Sequence, residues 1–152
     1  MIRGERVEHE IELPAAPSDV FAMFTQPERL CRWIGISAEL QPQPGGRFRF
    51  EIMPGQFCEG EYLVVEPPRR LVFSWGWTDP WFNLPPGFSR VEVTLEPILG
   101  GTRLRLVHDQ LPGEVRAIHD EGWTLFLARL AAVVAGVEPP AYPTARPEEL
   151  PS

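Results

Sequence analysis

His119-Asp120-Glu121-Gly122-Trp123-Thr124-Leu125-Phe126-Leu127-Ala128-Arg129-Leu130-Ala131-Ala132-Val133-Val134-Ala135-Gly136 is the one long run of this chain with helical periodicity. Trp123, Phe126, Leu127, Leu130, Val133 and Val134 recur at three- and four-residue steps, so they share a face. His119 falls on that stripe one turn earlier. Glu121, Thr124, Ala128 and Ala132, small or polar, lie opposite. Gly136 supplies a left-handed stop, and Pro139 and Pro140 follow it. The Leu111-Pro112-Gly113 turn places the helix start near Glu114. The helix is then roughly 22 residues and about 33 Å long.

Everything before this helix reads as short strands with one apolar face. Val7, His9, Ile11 and Leu13 alternate with Glu8, Glu10 and Glu12, the pattern of a half-buried strand. Pro14 and Pro17 end it, and Pro17 suits the first turn of a short helix carrying Val20, Phe21 and Phe24. Thr25-Gln26-Pro27-Glu28 has the spacing of a capping box and opens a second short helix, through Leu30 and Trp33 to Gly35. About six strands follow. Phe48, Phe50 and Ile52 point inward in one; Leu71, Phe73, Trp75 and Trp77 in another. Val91, Val93 and Leu95, then Leu104, Leu106 and His108, mark the last two. Pro44-Gly45-Gly46, Pro54-Gly55, Pro67-Pro68 and Gly100-Gly101 are the turns between them. Such tight connections require antiparallel pairing. The sheet must curl around the long helix for both to bury their apolar faces.

The totals bound the rest. A chain of 152 residues makes one domain with a real core. Its net charge is −7, and no basic stripe offers a nucleic-acid surface. No apolar run reaches the roughly 18 residues of a membrane span, and the N-terminus lacks the apolar segment of a signal peptide. Cys31 and Cys58 have no metal-ligand spacing, and a reduced, cytoplasmic protein is expected. The domain is expected over residues 1–136. Residues 137–152 hold five of the 18 prolines and little that could pack, and read as an extended or disordered tail.

Several segments carry a resemblance. They are Ala16-Pro17-Ser18-Asp19-Val20-Phe21, Arg32-Trp33 before a glycine, Gly45-Gly46-Arg47-Phe48-Arg49-Phe50 and Glu66-Pro67-Pro68-Arg69-Arg70-Leu71-Val72-Phe73-Ser74-Trp75. Gly60, Val91-Glu92-Val93-Thr94-Leu95-Glu96, Gly101 to His108 and His119 to Leu130 complete the set. In this order they resemble the START-like, or SRPBCC, superfamily, and within it the group named for the activator of the heat-shock protein 90 ATPase. The resemblance implies an α+β helix-grip fold. A curved antiparallel sheet wraps a long C-terminal helix, two short helices follow the first strand, and a cavity lies between sheet and long helix. Relatives include lipid carriers, plant hormone receptors, aromatic polyketide cyclases and many bacterial proteins with no assigned role, so fold alone does not set function. The chain departs from the pattern at Ile34, where relatives often carry a second tryptophan after Trp33.

The leading expectation is a non-catalytic protein that binds a small apolar or aromatic molecule in that cavity, without a cofactor. Its wall would be Phe48, Phe50, Phe73, Trp75 and Trp77 from the sheet and Trp123, Phe126 and Leu127 from the helix, with Trp33 near the mouth. Gly122, lacking a side chain, would leave room. His108, His119 and Glu61 would orient a polar group of the ligand. Trp81 lies in a proline-rich loop and suits a lid or a partner contact. A cyclase- or hydrolase-like enzyme using Glu61 and a histidine is the alternative. A co-chaperone-like interaction domain is the third. His9, His108 and His119 all read as inward-facing, but nothing at metal-ligand spacing accompanies them, so no metal site is expected. A homodimer is compatible with this reading.

Overall fold

The computed structural model of the chain describes residues 1–142. Strands β1 (Ile2–Arg3) and β2 (Arg6–Leu13) form an N-terminal hairpin. Helices α1 (Pro17–Thr25) and α2 (Pro27–Leu30) follow, then β3 (Ser37–Leu40), β4 (Arg47–Met53), β5 (Gln56–Glu66), β6 (Arg70–Trp75), β7 (Ser89–Ile98) and β8 (Gly101–Asp109). A 3-10 turn, Pro80–Phe82, interrupts the loop before β7, and α3 (Gly113–Ala135) closes the chain's regular structure. The eight strands make one antiparallel sheet in the order β1-β2-β8-β7-β6-β5-β4-β3. Six consecutive strands form a meander, and β2 joins beside the last of them. The two short helices carry the chain from β2 to the opposite edge. With α3 gripped by the sheet, this is the helix-grip arrangement.

The alternation that marked the strands sets their faces. Val7, Leu13, Leu104, Leu106, Val91, Val93, Phe48 and Phe50 are all buried. Each fully buried side chain of this size contributes about 1.5–3 kcal/mol. The helix α3 spans 23 residues and buries Val115, His119, Trp123, Phe126, Leu127, Arg129 and Leu130. It ends at Gly136, whose φ of 75° only glycine adopts without strain, and whose N–H returns to the carbonyls of Ala132 and Val133. Among the described residues no helix is long and apolar enough to cross a membrane.

Two local expectations are corrected. The capping box at Thr25 does not form: its hydroxyl donates back to the Phe21 carbonyl at 3.2 Å, and Gln26 is the cap residue of α2. Two adjacent helices compete for Thr25, and the one already built before it takes the hydroxyl. The tail is not idle over residues 137–142 either. The Tyr142 hydroxyl accepts from the Gly35 N–H at 2.8 Å and donates to the Ile52 carbonyl at 3.0 Å. Its ring meets Phe126 at 5.8 Å. The remainder of the expected tail, 143–152, lies outside the described residues. Tyr142→Phe therefore leaves two backbone groups without their partner and is expected to cost about 1–2 kcal/mol. An unchanged denaturation midpoint would mean that the strap does not hold in solution.

Candidate functional site

The backbone of α3 lies close to β2 and β1. Over the other half of the concave face the gap is bridged by large side chains from β4 to β6. Phe48 stacks on Phe73 at 4.1 Å, and Phe50 meets Trp75 at 5.4 Å and Trp77 at 6.1 Å. Trp75 packs on Trp123 from the helix at 5.0 Å. The aromatic residues chosen from strand and helix periodicity thus do converge, together with Phe126 and Leu127 on the helix side.

Two buried histidines join these rings into one hydrogen-bonded network. The indole N–H of Trp123 donates to Nδ1 of His108 at 3.0 Å. An indole nitrogen can only donate, so Nδ1 is bare and the proton sits on Nε2. That proton goes to the Ser89 hydroxyl at 2.8 Å, which in turn donates to the Trp75 carbonyl at 2.8 Å. His119 is the opposite tautomer. Its Nε2 accepts from the indoles of Trp77 at 3.1 Å and Trp75 at 3.3 Å, and its Nδ1–H donates to the Val115 carbonyl at 2.8 Å. The two imidazoles lie 5.1 Å apart.

Electrostatics follows from this geometry. Burial pushes His119 down to about 4, against a smaller upward pull from the Val115 carbonyl. His108 is driven well below its ordinary value, by burial first and by His119 second. Both rings are neutral at pH 7, and all four ring nitrogens are engaged. They make a rigid, satisfied partition behind the helix. Neither ring can take a further proton or ligand without giving up a bond it already makes.

The remaining candidates divide. His9 faces inward but stands apart from the other two, at 2.9 Å from Asp120 on the edge of α3. Asp120 also holds the Met1 ammonium at 2.6 Å. Trp33 is not at a pocket mouth. It is 1 % exposed, its indole N–H donates to the Met23 carbonyl at 2.9 Å, and its ring meets Phe24 edge-on, so it locks the two short helices together. Glu61 is corrected outright. It is exposed on the outer face, opposite Arg47, while Gly60 and Tyr62 of the same strand oppose the inward-facing Phe48 and Phe73. A register shift between Tyr62 and Val64 breaks the alternation there and misled the phase. The pairing of Glu61 with a pocket histidine is therefore not available to an enzyme mechanism.

Trp81 is half-buried in the 3-10 turn, whose N-cap residue, Asp79, accepts from the Trp81 amide at 3.1 Å. The neighbouring Phe82 stacks on Trp77 at 4.2 Å. Asn83 hydrogen-bonds Glu114 and ties this loop to the start of α3. Gly76 lets the loop return, since a Cβ there would stand 1.7 Å from the Pro85 carbonyl oxygen.

Gly122 behaves in the opposite way. It is half-buried in the middle of α3, yet a Cβ built on it would meet nothing within 4 Å. Open space lies beside the helix there, between His119 one turn before and Phe126 one turn after. Four contributors were missed in the sequence: Tyr62, Ser89, Arg129 and Tyr142. The Tyr62 hydroxyl donates to the Phe24 carbonyl at 3.0 Å and fixes α1 on the sheet. Arg129 alone had a visible signal, a charge three residues after Phe126 on a face that is otherwise buried.

The comparisons with known proteins agree on this architecture. No curated protein matches the chain. An AHSA1-like protein from Rhizobium etli is 40% identical, over 94% of this chain and 92% of its own, with a TM-score of 0.72. DynU16, from the dynemicin biosynthetic locus, is 27% identical over 90% of this chain with a TM-score of 0.76, and the match spans 49% of its length, about half. The Aha1 dimer from Colwellia psychrerythraea is similar in fold, with a TM-score of 0.73 at 18% identity over 88% of this chain and 96% of that one. The sequence model described as Activator of Hsp90 ATPase homolog 1-like protein matches residues 14–135, and the chain belongs to that family.

Proposed function

We propose that this protein binds a small apolar, aromatic molecule in the space beside Gly122, against the Trp75–Trp77–His119 wall. The observation that carries the reading is the glycine itself. Glycine inside a helix costs about 1 kcal/mol relative to alanine. At Gly60 and Gly76 close approach of backbone accounts for the glycine, and at Gly136 a left-handed φ does. At Gly122 nothing lies within 4 Å of a Cβ position, so the missing side chain leaves space open beside the helix, and in our reading that space faces the indole wall. Such a wall suits a flat, apolar guest, and the fixed histidine tautomers hold it rigid before the guest arrives. The origin of DynU16 in a biosynthetic locus is consistent with a small-molecule role. The setting we propose is the cytoplasm, where Cys31 and Cys58 stay free thiols. A homodimer is proposed by analogy with the dimeric Aha1 relative.

The test uses N-phenyl-1-naphthylamine, a neutral aromatic probe that brightens in apolar surroundings. Wild type is expected to enhance its emission and to transfer tryptophan excitation to it. Gly122→Leu should fold normally, because the new side chain enters empty space, and should lose the enhancement by at least about tenfold in affinity. Equal binding by wild type and Gly122→Leu, or no binding by wild type, would overturn the reading.

A further inference from the structure

Residues three and four positions apart are neighbours on a helix surface, so the side chains of α3 beside Gly122 are Ile118, His119, Leu125 and Phe126. Three of them are apolar. His119 is the one that could meet a polar group on a guest. A neutral imidazole offers one donor and one acceptor. The donor, Nδ1–H, is used within the helix, on the Val115 carbonyl at 2.8 Å. The acceptor, Nε2, takes two indole N–H groups at once, from Trp77 at 3.1 Å and Trp75 at 3.3 Å. The two indoles stand at 90° to each other, so they close the lone pair from different directions. The third indole of the wall is engaged in the same way, since Trp123 donates to His108 at 3.0 Å. The other nitrogen of His108 is held by Ser89 at 2.8 Å.

We infer that Trp75 and Trp77 are specificity-determining residues: by occupying the acceptor of His119 they make the site reject hydrogen-bonding guests, and the ligand is an aromatic hydrocarbon, bare or alkyl-substituted, without hydroxyl, carboxyl or other strong hydrogen-bonding group. This rests on the reading that the space at Gly122 takes an apolar guest. It narrows that guest by what the wall withholds. A hydroxyl entering the space gives up its water and finds His119 and the three indoles already paired. It then stays unpartnered or breaks a bond that holds the wall together, and either outcome is unfavourable. The relevant reference solvent is therefore cyclohexane, which offers no hydrogen bond, and not octanol, which does. The histidine of this site excludes a polar group; it does not orient one.

The comparison that decides this is 2-methylnaphthalene against 2-naphthol, which are close in shape, each displacing N-phenyl-1-naphthylamine from the wild-type chain. The methyl compound is expected to bind about a hundredfold more tightly, the most that an apolar site achieves against an added hydroxyl. That ratio should follow the partition of the pair between water and cyclohexane. Trp77→Phe keeps a ring to stack on Phe82 and removes one of the two N–H groups on His119. It should let the hydroxyl share Nε2 and narrow the gap by about tenfold. A wild-type ratio at or below the water–octanol value would overturn the selectivity and leave the apolar site standing. Binding of neither compound, with no binding of the probe, would overturn both. An unchanged ratio in a folded Trp77→Phe protein would overturn the role given to the indoles. The wild-type comparison needs no variant, so it decides even if Trp77→Phe is unstable.

Discussion

Trp123→Ala is expected to lower the unfolding free energy by about 3–5 kcal/mol. The residue is 3 % exposed and joins helix to sheet twice over. Its ring packs on Trp75 at 5.0 Å, and its indole N–H donates to His108 at 3.0 Å. Alanine removes a large aromatic volume at a point where the helix backbone stands away from β6. The surroundings cannot close that gap without moving the helix, so a cavity remains. Alanine also leaves Nδ1 of a fully buried histidine without its donor, a further penalty of about 1–3 kcal/mol contained within the same total. Trp123→Phe separates the two effects, since it keeps most of the volume and loses only the donor. Urea denaturation of both variants measures this. A midpoint for Trp123→Ala close to that of wild type would mean that the helix does not grip the sheet through this residue.

How much of this was legible in the sequence depends on the period of each segment. Residues 119–136 have an unambiguous helical period, and α3 appears where that period ends, at Gly136. The strands with clean alternation, β2, β4, β7 and β8, point their apolar residues inward as read. Segment β5 does not alternate cleanly, because a bulge near Tyr62 shifts its phase relative to β6. Glu61 was assigned on that segment and fell on the wrong face. Periodicity could place His108 and His119 on inward positions, but it could not pair them with particular indoles. That pairing depends on how far the sheet curls, which no local pattern encodes. Tyr142 is a single aromatic among prolines, with no period around it, and its role arises from two backbone groups, Gly35 and Ile52, that are remote in sequence. The N-terminal strand β1 is only two residues long and was invisible for the same reason.

The same histidine network makes the fold sensitive to mild acid. In the unfolded chain both imidazoles titrate near 6.5. In the folded chain His119 stays neutral down to about 4, and burial holds His108 well below its ordinary value too. Between those limits the unfolded state binds more protons than the folded one. Stability is therefore full above about pH 6.5 and falls as the pH drops through the window below it. For His119 alone the loss by pH 4 is about 3 kcal/mol, a large share of the roughly 5–15 kcal/mol that a domain possesses. The structural cause is specific. A protonated Nε2 on His119 would point a donor at two indole N–H groups that also only donate. His9 contributes in the same direction, because burial and the Met1 ammonium lower it more than Asp120 raises it. The depressed carboxylates Asp120 and Glu51 lose their stabilisation only at lower pH, as they protonate, and so fall outside the window. His119→Gln removes the titrating group and keeps an oxygen that can accept from Trp75 and Trp77. Urea unfolding measured from pH 7 to pH 4.5 should show a steep fall for wild type and a markedly shallower one for His119→Gln. A wild-type stability that stays flat across that range, or equal slopes for the two proteins, would show that His119 is not held neutral by this network.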